Sequence, residues 1–164
     1  MKYRKLSKID AERFWKMLNQ LDYETKYMMY EPGERSRNIA EIEIIIQNAA
    51  DGKDFLLVAE ADDKIVGYIQ AQRGDFKRIS HSAYIVVGIL KDYRGNGIGR
   101  EFFKQLDSWA EKAKITRLEL TVICENEVAK NLYKRNGFEI EGIKRNSILA
   151  DGKYFDEFYM AKII

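Results

Sequence analysis

One segment constrains this chain more than any other: Arg94-Gly95-Asn96-Gly97-Ile98-Gly99. It follows an apolar run that ends at Leu90 and precedes a stretch with helical periodicity. Closely spaced glycines leave backbone N–H groups uncovered by Cβ atoms. At the start of a helix those groups point where the helix dipole is positive, so such a loop can cradle a phosphate or pyrophosphate. Arg94 and Arg100 would add positive charge there. A P-loop needs Gly-Lys-Ser/Thr, which is absent. A dinucleotide fingerprint needs a small residue where Arg100 stands, and it normally lies in the first βα unit, whereas four expected strands precede this loop. The plain alternative is a Gly-rich strand-to-helix turn.

Periodicity supplies the surroundings. Residues 2–6 read as a strand, and Ser7-Lys8-Ile9-Asp10 fits a capping box before a helix carrying Ile9, Phe14, Leu18 and Leu21. A second helix is expected near 38–50. Phe55–Ala59 and Ile65–Ala71 form a hairpin turning at Asp62-Asp63. Arg73-Gly74-Asp75 is another turn, and the stretch from Ile79 to Leu90, apolar on both faces, reads as a central strand. After the glycine loop, Ile98, Phe102, Leu106, Trp109 and Ala113 share a helical face. Leu118, Leu120 and Val122 alternate in a strand, and a short helix over about 126–135 stops at Asn136-Gly137. Two long strands joined at Asp151-Gly152 end the chain. The expected architecture is an α/β domain of the α+β type, with a mixed sheet of seven strands and four helices.

Composition sets the limits. The 164 residues suffice for one domain, expected over 1–164, and the 46% hydrophobic and 33% charged content fits a globular chain. Twenty-eight basic against 26 acidic residues give +2, which offers no support for a nucleic-acid partner. Cys124 is the only cysteine and His81 the only histidine, so an internal disulfide and a histidine metal cage are both excluded. Neither a signal peptide nor a membrane span is expected, and a cytoplasmic location follows as the default.

A second motif changes the weight of the first. Asn126-Glu127-Val128-Ala129-Lys130-Asn131-Leu132-Tyr133 follows the next strand, with Gly137-Phe138 beyond it. Here the sequence resembles the GNAT superfamily of N-acetyltransferases. That family's Arg/Gln-x-x-Gly-x-Gly/Ala loop matches Arg94, Gly97 and Gly99. Its Asn-x-x-Ala-x-x-Leu-Tyr signature with a following Gly-Phe matches Asn126, Ala129, Leu132, Tyr133, Gly137 and Phe138. The resemblance covers nearly the whole chain. It implies a mostly antiparallel GNAT sheet, splayed at the cofactor site, and acetyl-CoA as cofactor.

The resemblance also implies roles. Val87, Gly88 and Ile89 would offer main chain to pantetheine, with an N–H of Val87 or Ile89 polarising the thioester carbonyl. Gly88 inside an apolar strand fits a bulge or a close backbone approach, with relief of crowding beneath a helix as the plain alternative. Arg94, Gly95, Asn96, Gly97, Ile98, Gly99 and Arg100 would hold the pyrophosphate. Asn126 would cap its helix and also touch the cofactor, and Ala129 would leave room for pantetheine. Tyr133 would protonate the thiolate leaving group, since a phenol with pKa ~10 keeps its proton at neutral pH.

The acceptor side is less defined. Glu24, Glu31 and Glu34 lie near the family's acceptor loop, with Glu31 and Glu34 the expected acceptor-binding residues. Asp22, Glu24, Glu31 and Glu34 together would make an entrance attractive to a cationic amine, unless Lys26, Arg35 and Arg37 pair with them. No general base is evident: Thr121 stands where ribosomal-protein alanine acetyltransferases carry a Glu, and Glu119 is two residues earlier on the same strand face. Cys124 lies near the expected thioester, but an acyl-cysteine route would need a nearby base. The reading is therefore direct attack by a primary amine of a small molecule, polyamine or peptide in a ternary complex. A homodimer is compatible with it. The alternative is a non-catalytic acyl-CoA-binding module.

Overall fold

The computed structural model describes residues 1–164. The chain forms seven strands, β1 (Lys2–Arg4), β2 (Phe55–Ala61), β3 (Lys64–Arg73), β4 (Ser82–Ile89), β5 (Arg117–Ile123), β6 (Glu139–Ala150) and β7 (Lys153–Ile163). Its four α-helices are α1 (Ala11–Glu24), α2 (Ile39–Ala50), α3 (Ile98–Lys112) and α4 (Glu127–Arg135). The strand order is β1-β2-β3-β4-β5-β7-β6. The β4–β5 pair is parallel, while β1–β2, β2–β3, β5–β7 and β6–β7 are antiparallel, so the sheet is mixed as the sequence implied. Two compact units divide the chain: Met1–Gln72 with Val86–Trp109, and Arg73–Ile85 with Ala110–Ile164.

In the first unit, α1 buries Ala11, Phe14, Met17, Leu18 and Leu21. They join Ile42 and Ile46 of α2, Leu56 and Val58 of β2, Tyr68 of β3, and Leu90 in one apolar cluster. Ile9 does not belong to this face: it is 89% exposed. The reason is local, because Lys8–Asp10 is a 3-10 turn whose tighter winding breaks register with α1. Asp10 still serves the expected cap by accepting the Ser7 N–H at 3.0 Å. It also accepts from Arg4 and Arg13, and Glu60 takes the same two guanidinium groups. These bonds hold the Asp10 carboxyl well below the usual carboxylate range.

Gly88 sits where α1 crosses β4. A Cβ at this position would lie 2.3 Å from Leu21 Cδ2 and 2.9 Å from Tyr68 Cε1. The glycine is thus explained by crowding beneath a helix, the plainer of the two expectations for it.

The face of α3 differs in detail from the expected one. Ile98, Phe102, Phe103, Leu106 and Ala110 are buried, while Trp109 is half-buried with its ring 5.4 Å from that of Phe55. Ala113 falls beyond the end of the helix. The buried stripe is broader than the one read from the sequence, taking in Phe103 and Ala110 as well.

In the second unit, β4 pairs with β5 at Ser82↔Arg117, Ala83↔Leu118 and Tyr84↔Glu119. Residues Lys77–Ile79 form a 3-10 turn, so the central strand begins later than the apolar run suggested. Leu118, Leu120 and Val122 are buried as expected. Asp151 and Gly152 take φ of 50° and 71°, the left-handed pair of a tight hairpin turn.

The packing at Gly88 makes a stability prediction. Gly88→Ala should lower stability by about 1–3 kcal/mol through overpacking, and adding Leu21→Ala should recover part of that loss beyond simple additivity. Chemical denaturation of the two single variants and the double variant checks this. Additive losses would show that Leu21 is not what the new methyl meets.

Candidate functional site

The first unit carries the glycine loop. Gly95 and Gly97 take φ of 77° and 78°, and a Cβ at either would meet no atom within 4 Å. Glycine is needed there for its backbone conformation, since L side chains are strained in this region. The loop is braced from within: Arg94 Nε donates to the Ile89 carbonyl at 2.9 Å, and Asn96 Nδ2 donates to the Tyr93 carbonyl at 3.2 Å. The first intrahelical bond of α3 runs from the Glu101 N–H to the Gly97 carbonyl at 3.2 Å. The N–H groups of Ile98, Gly99 and Arg100 consequently have no acceptor inside the helix. Open space, free donors and a positive helix end together suit an anionic ligand.

The carboxylates expected near the acceptor belong to the same unit. Asp22 is buried and bound by Arg35 through Nε at 2.6 Å and Nη2 at 3.1 Å. Arg35 also lies over the Tyr30 ring. Glu34 accepts the Glu31 N–H at 2.8 Å, while Glu24 accepts from Gln20 and from the Lys91 N–H. Arg37 pairs with Glu12. Asp22, Glu24 and Glu34 are each tied to a partner in the protein.

The second unit carries the other motif. Asn126 caps α4 by accepting the Ala129 N–H at 3.2 Å on its side-chain oxygen, as the sequence implied. Ala129 is half-buried, and Tyr133, one turn further on, is buried with its ring 6.0 Å from Phe138. The turn at Gly137, φ 89°, returns the chain so that the Phe138 N–H donates to the Tyr133 carbonyl at 3.1 Å. Burial, reinforced by Tyr84, pushes the Tyr133 phenol above its ordinary value.

Tyr84 is a neighbour of this motif that the sequence reading missed. It sits on β4, 42% exposed, and its hydroxyl shares a hydrogen bond of 2.9 Å with Thr121 Oγ1. The parallel β4–β5 register brings the two together. A tyrosine in an apolar strand carries no motif of its own, so nothing in the sequence marked it. Glu119, by contrast, is held at 2.6 Å by Arg117, which also binds Glu141.

Comparison with known proteins agrees with the motifs. A family model described as the acetyltransferase (GNAT) family matches residues 15–138. An L-amino acid N-acetyltransferase of Escherichia coli is 33% identical over 111 residues, covering 65% of this chain and 67% of that one. A spermidine N(1)-acetyltransferase of Thermoplasma acidophilum is 24% identical over 145 residues, covering 88% and 87%. The crystal structure of an acetyltransferase of the GNAT family from Streptococcus pneumoniae superposes with a TM-score of 0.94, at 29% identity and 99% coverage of both chains.

Cys124 completes the site's inventory. It is half-buried, and burial together with Asp156 and Glu125 pushes its thiol up, against a smaller opposing effect of Lys130. A raised thiol pKa means less thiolate at neutral pH. Alkylation by iodoacetamide at pH 7 should therefore be slower than that of a free cysteine, with the rate still climbing above pH 9. Fast alkylation that levels off below pH 8 would show an activated thiol and reopen the acyl-cysteine route.

Proposed function

The chain belongs to the acetyltransferase (GNAT) family, and from that premise we propose that it moves an acetyl group from acetyl-CoA to a primary amine by direct attack in a ternary complex. It is an N-acetyltransferase that uses acetyl-CoA. The proposal extends to the acceptor, the order of events and the residues that act. Its main support is Tyr133, a buried phenol held in its protonated form.

In this reading the 94–100 loop binds the pyrophosphate through its free N–H groups, and Arg94 and Arg100 add charge. Arg94 does so while its Nε holds the Ile89 carbonyl. Main chain at Val87, Gly88 and Ile89 pairs with pantetheine, and an N–H of Val87 or Ile89 polarises the thioester carbonyl. Asn126 and Ala129 line the pantetheine path. The neutral amine attacks the carbonyl carbon; a C–N bond forms, the C–S bond breaks, and the sulfur leaves as a thiolate. Tyr133 donates to that sulfur and regains its proton from solvent. The raised pKa keeps the donor loaded but makes it a weaker acid. Its contribution is therefore chiefly the hydrogen bond that strengthens as charge develops on sulfur, an effect that low local dielectric enhances. The attacking nitrogen loses its proton through water.

Two relatives are named for amine acceptors of different size, an amino acid and spermidine. Both classes remain within this proposal. Glu31 and Glu34 stand as acceptor-binding residues, with Glu34 committing one oxygen to the Glu31 N–H. Glu31, exposed and adjacent, is the stronger of the two.

Two variants test the reading. Tyr133→Phe should keep CoA affinity while kcat falls ~10²–10³-fold, the usual cost of losing one hydrogen-bond donor to developing charge. The wild-type kcat should show no alkaline fall up to pH 10, because the phenol is still protonated there. An unchanged turnover of the Phe variant would remove Tyr133 from the acid role. Gly97→Glu places bulk and negative charge in the loop and should abolish CoA binding in calorimetry; undiminished affinity would show that the loop is not the phosphate site.

A further inference from the structure

Glu24 occupies a position that helix electrostatics disfavours. It is the last residue of α1, whose final turn holds no basic side chain, and a carboxylate there opposes the helix dipole. Two donors hold it in place. Gln20 Nε2 donates to Oε1 at 2.6 Å, and the backbone N–H of Lys91 donates to Oε2 at 2.7 Å. With both oxygens facing N–H donors, the geometry suits holding a backbone more than removing a proton from an amine.

The Lys91 N–H lies at the foot of the glycine loop. Just before it, the Leu90 N–H donates to the Val66 carbonyl at 2.9 Å, which fixes the end of β4. Just after it, the 3-10 turn Lys91–Tyr93 closes with the Arg94 N–H on the Lys91 carbonyl at 3.3 Å. On the other side of Glu24, Thr25 is extended and the chain leaves α1 for the segment 25–38. Glu24 thus joins the first residue of the turn that carries the loop to the last helical residue before the acceptor segment.

We propose that Glu24 is a positioning residue that couples these two parts, so that filling the 94–99 loop fixes the start of the 25–38 segment. The proposal rests on the reading that the loop takes CoA. Its consequence is an acceptor segment ordered by cofactor. By reciprocity, an ordered segment tightens CoA in turn.

Lys91→Pro removes the one N–H in question and little else. Leu90 has φ −57° and ψ 144°, which suits a residue preceding proline, and proline is tolerated in a first helical turn. Lys91→Ala keeps the N–H and controls for the lost side chain. Tryptic cleavage after the exposed Lys26 reports order in the segment without needing an acceptor. Wild type and Lys91→Ala should be cut about tenfold more slowly at saturating CoA than without it, within the usual range of coupling factors. Glu24→Ala and Lys91→Pro, each at its own saturating CoA, should lose that protection, and the double variant should match either single one. Wild-type cleavage indifferent to bound CoA, protection retained in both variants, or effects that add in the double variant would each overturn the coupling while leaving the cofactor assignment standing. Absence of CoA binding by the wild type in calorimetry would overturn both.

Discussion

The path of the backbone out of β4 is the constraint on which the site depends. At Gly88 any side chain would strike Leu21 and Tyr68; at Gly95 and Gly97 the chain takes a left-handed turn through open space. The first condition lets α1 lie close on the strand. The second lets the chain swing into α3 with its leading N–H groups bare. One fixes packing, the other a chemical surface, and they lie within a few residues of each other. Hydrogen bonds from Arg94 to Ile89 and from Lys91 to Glu24 then hold the intervening turn.

Charge is used in two different ways. Around Asp10 and Glu60, Arg4 and Arg13 form a network whose members satisfy one another, and it fastens β1 and β2 to the start of α1. Asp22 with Arg35 does the same between α1 and the segment before α2. At the Asn126–Tyr133 motif the device is the absence of charge. Tyr133 and Cys124 are both pushed toward their neutral forms by burial. A phenol so raised keeps its proton, whereas a thiol loses nucleophilicity. A less nucleophilic Cys124 is in keeping with the direct transfer proposed above.

Much of this was legible beforehand, where a feature is local. The seven strands, four helices, the hairpin turn at Asp151-Gly152, the Asn126 cap and the left-handed stop at Gly137 all follow from patterns within a few residues. What was missed depends on partners distant in sequence. The Tyr84–Thr121 hydrogen bond depends on the β4–β5 pairing, in which Tyr84 stands opposite Glu119. Glu24 read as one of several carboxylates until its oxygens were found on Gln20 and Lys91. Which partners crowd Gly88, Leu21 and Tyr68, likewise lay beyond local pattern. Ile9 was misplaced because a 3-10 turn and an α-helix carry different periods.

Catalysis, as opposed to cofactor sensing, is the central claim. The direct measurement mixes the protein with acetyl-CoA and a panel of amines that includes amino acids, spermidine and a peptide with a free N-terminus, and follows release of the CoA thiol together with the mass of each acceptor. The account predicts that at least one primary amine gains a single acetyl group in step with thiol release, well above hydrolysis without acceptor. Tight acetyl-CoA binding with no acceptor acetylated, and thiol release no faster than hydrolysis, would contradict it and favour a binding module.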